Sequence, residues 1–71
     1  MPTEPVAVEK PEHPLYALTT YELRNYRRHL EQAVGYYVTH HPDAPVLADL
    51  RRALGDVLAE QEDRARAAAR A

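Results

Sequence analysis

Two stretches with apolar residues at steps of three and four, parted by a His40-His41-Pro42-Asp43-Ala44-Pro45 break, constrain this chain more than any other feature. Such a recurrence puts the apolar residues on one face of a helix. The first stretch carries Leu23, Tyr26, Leu30, Ala33 and Tyr37, widened by Val34 and Val38. The second carries Leu47, Leu50, Leu54, Val57 and Leu58, continued weakly by Ala65 and Ala68. A connection of about five residues makes consecutive helices antiparallel neighbours. The pattern predicts an all-α fold: an antiparallel two-helix hairpin over residues 15–71, helix 1 at about 20–40 and helix 2 at about 45–66.

Local signals sharpen the ends. Thr19, with Glu22 three positions on, forms a capping-box pattern, and Leu18 and Leu23 are spaced for a hydrophobic staple around it. Pro42 stops helix 1, with His40 and His41 in its last turn. Helix 2 begins near Asp43 to Pro45: Asp43 is a candidate cap, and proline is tolerated in a first turn. Glu60 with Arg64 and Glu62 with Arg66 are favourable pairs one turn apart that keep the far end helical without burying much. The last residues, from Arg66 on, are expected to fray. Residues 1–14 hold Pro2, Pro5, Pro11 and Pro14, each of which removes a donor and disfavours helix in the residue before it. They are read as a disordered arm, followed by a short apolar patch, Leu15, Tyr16 and Leu18.

The core available to such a hairpin is small. Of the residues counted as hydrophobic, twelve are alanines, and with no Phe, Trp or Ile the interior must be built from Leu, Val and Tyr. At 71 residues, without a cysteine for a disulfide, one core is marginal on its own. Antiparallel packing sets Tyr37 and Val38 near Val46 and Leu47, Val34 near Leu50 and Leu30 near Leu54, while Leu23 reaches only Gln61 and Ala65. The open end is thus poorly filled, and the Leu15–Leu18 patch is its natural cover. Two helices bury one stripe each, so apolar surface is left over, and self-association into a four-helix bundle is the simplest remedy. Leu23, Tyr26, Leu30, Val34, Tyr37, Leu47, Leu50, Leu54, Val57 and Leu58 are accordingly the expected apolar interaction face, with Tyr26 and Leu58 at its edge.

Three further groupings stand out. Tyr21, Arg24, Asn25, Arg28 and Gln32 lie opposite the stripe on helix 1, with Tyr36 close by and Arg27 alongside. Arginine forks recognise carboxylates and phosphates and tyrosine offers a stacking plane, so Tyr21, Arg24 and Arg28 are either a solvated outer face or a polar contact face. A formal charge of −2 favours a protein over a nucleic acid as its partner. His40 and His41 are adjacent, so their rings do not converge on a metal as a pair one turn apart does; they suit a helix end, where a protonated imidazole meets the negative pole of the dipole. Ala48, Gly55 and Ala59 make a small-residue flank on helix 2, open to close approach by another helix.

The chemistry of catalysis is missing from this inventory. There is no Ser and no Cys, the two glycines stand singly within helices, and the carboxylates are scattered over solvent faces. A hairpin encloses no substrate-sized cleft. The sequence thus predicts no catalytic residues, no metal and no cofactor. The opening residues lack the basic and apolar regions of a secretory signal, and no apolar run approaches a membrane span, which predicts a cytoplasmic chain. The expected function is a non-catalytic interaction module that dimerises or docks on a larger protein. The alternative is a small nucleic-acid-associated regulator using the Arg/Tyr face.

Overall fold

A computed structural model of the chain describes Val8 and residues 10–70. Two α-helices, α1 (Thr20–His40) and α2 (Pro45–Arg70), pack against each other as an antiparallel hairpin, preceded by a single 3-10 turn, Leu15–Ala17. The arm read over residues 1–14 falls mostly outside the described residues. Of its described part, Val8 packs against the hydrophobic core, and residues 10–14 are not helical.

α1 starts where its sequence says it must. Thr19 is extended, its hydroxyl accepts from the Glu22 N–H at 3.0 Å, and the Glu22 carboxylate accepts from the Thr19 N–H at 2.9 Å. Two first-turn donors are thereby satisfied reciprocally. Leu18 before the cap and Leu23 after it both belong to the buried core, so the chain enters the helix at a fixed angle. The hydrogen bond from the Thr19 backbone, followed by that from its side chain, holds the Glu22 carboxyl below the ordinary carboxylate range. A carboxyl with a lowered folded-state pKa stabilises the fold above its unfolded pKa and loses that contribution as pH falls through the lowered value. Acidification is therefore expected to loosen the first turn of α1, and Glu22→Gln to remove this acid-side dependence in a pH-resolved melt.

The helix boundaries depart from expectation at α2. Asp43 does not cap it. The N-cap position belongs to Ala44, whose carbonyl accepts from the Leu47 N–H at 3.0 Å, while its own N–H donates to the His41 carbonyl at 3.0 Å. That tight backbone turn positions Pro45 as the first helical residue, where a missing donor costs nothing. The far end does not fray near residue 66 but stays helical to Arg70. Ion pairs Glu60–Arg64 at 2.8 Å and Glu62–Arg66 at 3.0 Å, followed by the alanines at 67–69, support those last turns.

The core is one column of side chains from each helix, closed at one end by the N-terminal segment. Leu23, Leu30, Ala33 and Tyr37 of α1 meet Leu47, Leu50 and Val57 of α2, and Leu18 completes the cluster. Val57 is fully enclosed at 0% exposure, whereas Leu54 is only half-buried on the flank. The mid-stripe position of α2 is thus held by Val57 rather than by Leu54. The open end is sealed by the Leu15–Leu18 segment and by Arg64. One guanidinium nitrogen of Arg64 donates to the carbonyls of Leu15 (3.1 Å) and Leu18 (2.7 Å), while its Nε donates to Glu60 at 2.8 Å. Arg64 therefore does more than keep the last turns helical, because it ties them to the chain ahead of α1.

Thr19→Ala removes one half of the capping box, at a typical cost of about 1 kcal/mol. Because Leu15 and Leu18 start their path over α2 at this cap, amide exchange should quicken at residues 20–23 and also around Arg64. A change confined to the first turn of α1 would show that the segment before the helix is held independently of the cap.

Candidate interaction surface

The hairpin has two grooved flanks, and the chain treats them differently. One flank is marked by the only side-chain hydrogen bond that joins the two helices among the described residues, from the Arg27 guanidinium to the Gln61 side-chain oxygen at 2.8 Å. Two turns from Arg27 along α1 comes Val34, with Val38 one turn further; two turns back from Gln61 along α2 comes Leu54, with Leu58 between. Residues at those spacings share a helix face, so Val34, Val38, Leu54 and Leu58 line this flank together. Val34 and Leu54 are half-buried, while Leu58 is 40% and Val38 45% exposed.

On the other flank Val8 and Leu15 pack against the core. The sequence predicts no cleft of substrate size, but the residues ahead of α1 help to form one: Val8 and Lys10 border an open cleft of about 480 Å³ together with Tyr26, Leu30, Leu50 and Ala53, and Asp49, Arg52 and Asp56 stand at its polar side. Burial, and secondarily the Asp56 carboxylate, push the Tyr26 phenol up. The phenol therefore stays protonated near neutral pH, too weak an acid to act as a base or nucleophile there. Among the described residues no group of three His, Cys, Asp or Glu side chains is placed to hold a metal ion, and no helix is long and apolar enough to cross a membrane.

The residues expected to form an apolar interaction face divide accordingly. Leu23, Leu30, Tyr37, Leu47, Leu50 and Val57 are spent inside the hairpin, on each other. Tyr26 goes to the covered flank. Val34, Leu54 and Leu58 remain on the bare one, joined by Val38, which sequence spacing had marked only as widening the stripe. Of the outer polar face, Tyr21 is 74% exposed, and Arg24 and Arg28 are exposed with no acidic partner among the described residues. Tyr36 does not belong to that face. It is half-buried, with its ring edge-on to Tyr37 at 5.3 Å and tilted on His40 at 4.8 Å. His41 completes this aromatic cluster at the turn, 6.3 Å from Tyr37, and its backbone N–H donates to the Tyr37 carbonyl at 2.8 Å. His40 is thus the last residue of α1 and His41 its C-cap.

Gly35 and Gly55 need no special backbone, as no residue described has a positive φ, and a Cβ built at either would meet nothing within 4 Å. Among the described residues, nothing approaches Gly55 on the Ala48–Gly55–Ala59 flank. Gly35→Ala and Gly55→Ala should each stabilise the fold by up to about 1 kcal/mol through helix propensity. For a domain of this size that is a rise of roughly 4–8 °C in melting temperature. A fall in melting temperature would reveal a close approach at that position.

With this geometry in view, comparison with known proteins adds no relative: no family model, no curated protein and no solved structure matches the chain.

Proposed function

We propose that this chain is a non-catalytic protein-interaction module, a helical hairpin that docks on itself or on another protein through Val34, Val38, Leu54 and Leu58. What supports the reading is the asymmetry of the flanks. The chain covers one groove with its own N-terminal residues, Val8, Leu15 and Leu18, and fastens that cover with Arg64. Among the described residues nothing from the N-terminal segment packs on the other groove, where aliphatic side chains line up one and two turns apart. Aliphatic groups in water are unfavourable by roughly 25 cal/mol per Å² of surface that a partner would remove.

The test is a pair of charge insertions. Val38→Glu with Leu58→Glu should leave the circular dichroism spectrum and melt close to wild type, since both positions are exposed. It should abolish binding to whatever the wild-type chain engages, its own copies included. Arg52→Glu, on the covered side, is the control and should bind as wild type does. If all three proteins bind alike, the bare flank is not the docking surface.

A second reading rests on a different observation, that Arg24 and Arg28 beside Tyr21 are exposed and have no acidic partner among the described residues. As a phosphate-binding face it would bind DNA or RNA with an affinity that falls steeply with salt, because neutralising phosphates releases counterions. Absence of binding at about 50 mM salt, where such contacts are strongest, removes it.

A further inference from the structure

We infer that the residues ahead of Thr19 form a strap that opens as a unit while the hairpin stays folded, pivoting between Leu18 and Thr19 and latched by Arg64. Opening uncovers a second apolar groove, that of Tyr26, Leu30, Leu50 and Ala53. The inference does not depend on what docks at either flank.

The hydrogen bonds divide the chain at that pivot. On one side, the Ala17 N–H donates to the Pro14 carbonyl at 2.9 Å and the Leu18 N–H to the Leu15 carbonyl at 3.1 Å, so both bonds close within the strap. On the other, Thr19 bonds only forward: to the Glu22 carboxylate and N–H, and through its carbonyl to the Leu23 N–H at 2.9 Å. Among the described residues, the bonds from Arg64 to the Leu15 and Leu18 carbonyls are the only hydrogen bonds across this boundary, and no ion pair crosses it. Pro11 and Pro14 have no N–H with which to add another. Leu18 and Thr19 are both extended, with no hydrogen bond between them, so rotation there breaks nothing in either unit.

Packing divides the same way. The strap meets the helices through Leu18, which is buried, and through Leu15 and Val8, which are only partly so. The helices hold each other through two full columns of buried side chains. Opening the strap therefore gives up one buried leucine, two partial contacts and the bonds of one guanidinium, while the capping box and the helix columns remain. Local openings of this kind cost less than unfolding the whole. Once Val8 and Lys10 swing away, the cleft they border lies open along Tyr26, Leu30, Leu50 and Ala53.

Hydrogen exchange of the full chain, followed by NMR at low urea concentrations, tests the inference. In wild type the Ala17 and Leu18 amides should be protected at least tenfold less than those of Leu30 and Val57. Their protection should fall with urea, but less steeply, because opening the strap exposes some surface and unfolding exposes more. Gly35→Ala with Gly55→Ala strengthens helices that stay folded when the strap opens. It should slow exchange at Leu30 and Val57 by up to about tenfold and leave Ala17 and Leu18 as they were. Arg64→Ala should quicken exchange at Ala17 and Leu18 by about tenfold. Equal protection at all four amides, or Ala17 and Leu18 following Leu30 and Val57 in the glycine variant, overturns the strap, which then opens only with the whole fold. Exchange at Ala17 and Leu18 with no urea dependence also overturns it, since the turn then breathes without leaving the helices. Unchanged exchange there in Arg64→Ala overturns Arg64 as the latch.

Discussion

Leu30→Ala is expected to abolish most of the cooperative thermal unfolding of this protein. Leu30 is 1% exposed, at the middle of the α1 column, with buried Leu23 and Tyr37 two turns away on either side. Truncating such a residue removes its transfer free energy and leaves a cavity, at a cost of about 2–5 kcal/mol. A single core in a domain below about 70–80 residues supplies roughly 3–5 kcal/mol in all. The variant should show a broad, early melt by circular dichroism. Leu54→Ala provides the contrast: Leu54 is half-buried on the flank, so its truncation should cost clearly less. Equal losses at the two positions, or a midpoint moved by only a degree or two in Leu30→Ala, would contradict this assignment of the core.

The second large effect belongs to Arg64. Its guanidinium holds the Leu15 and Leu18 carbonyls and the Glu60 carboxylate at once, which only a planar fork with several donors can do. Hydrogen bonds to a charged group contribute about 1.5–3 kcal/mol, less where water reaches them, as it partly does here. Arg64→Ala should therefore destabilise by about 1–3 kcal/mol. It should also speed amide exchange at Ala17 and Leu18, whose N–H groups close the turn on the Pro14 and Leu15 carbonyls. Arg64→Lys keeps the charge but not the fork, so most of the loss should remain. Unchanged exchange at Ala17 and Leu18 in both variants would show that the turn is held by the packing of Leu18 alone.

These two residues also show where sequence reasoning reaches and where it stops. Leu30 is legible because its neighbours recur at helical spacing, and a period is a local signal. The capping box at Thr19 and Glu22 is legible for the same reason: all its partners lie within one turn. Arg64 is legible only as half of a pair with Glu60, because its other partners are backbone carbonyls far back in the chain, which no side-chain pattern announces. The exchange of Leu54 for Val57 at the centre of α2 is a matter of phase. Both sit in the stripe, and only the way α1 lies across α2 decides which points inward. Asp43 fails as a cap because the Pro42–Asp43 turn closes through backbone groups, His41 to Ala44, leaving the N-cap place to a residue with no side-chain acceptor. The bare flank was half visible. A stripe wider than two helices can bury was evident, but its left-over side became apparent only once Val8, Leu15 and Leu18 were seen on the other.

Methyl NMR of the full chain across a concentration series tests most directly the self-docking form of the proposed function, in which the flank of Val34, Val38, Leu54 and Leu58 is the docking surface. As concentration rises into the tens of micromolar, shifts should move at those four residues. The methyls of Val8 and Ala53 on the covered flank, and of Leu23 and Val57 in the core, should hold still. Spectra that do not change with concentration, or changes centred on the flank of Val8 and Ala53, would contradict it.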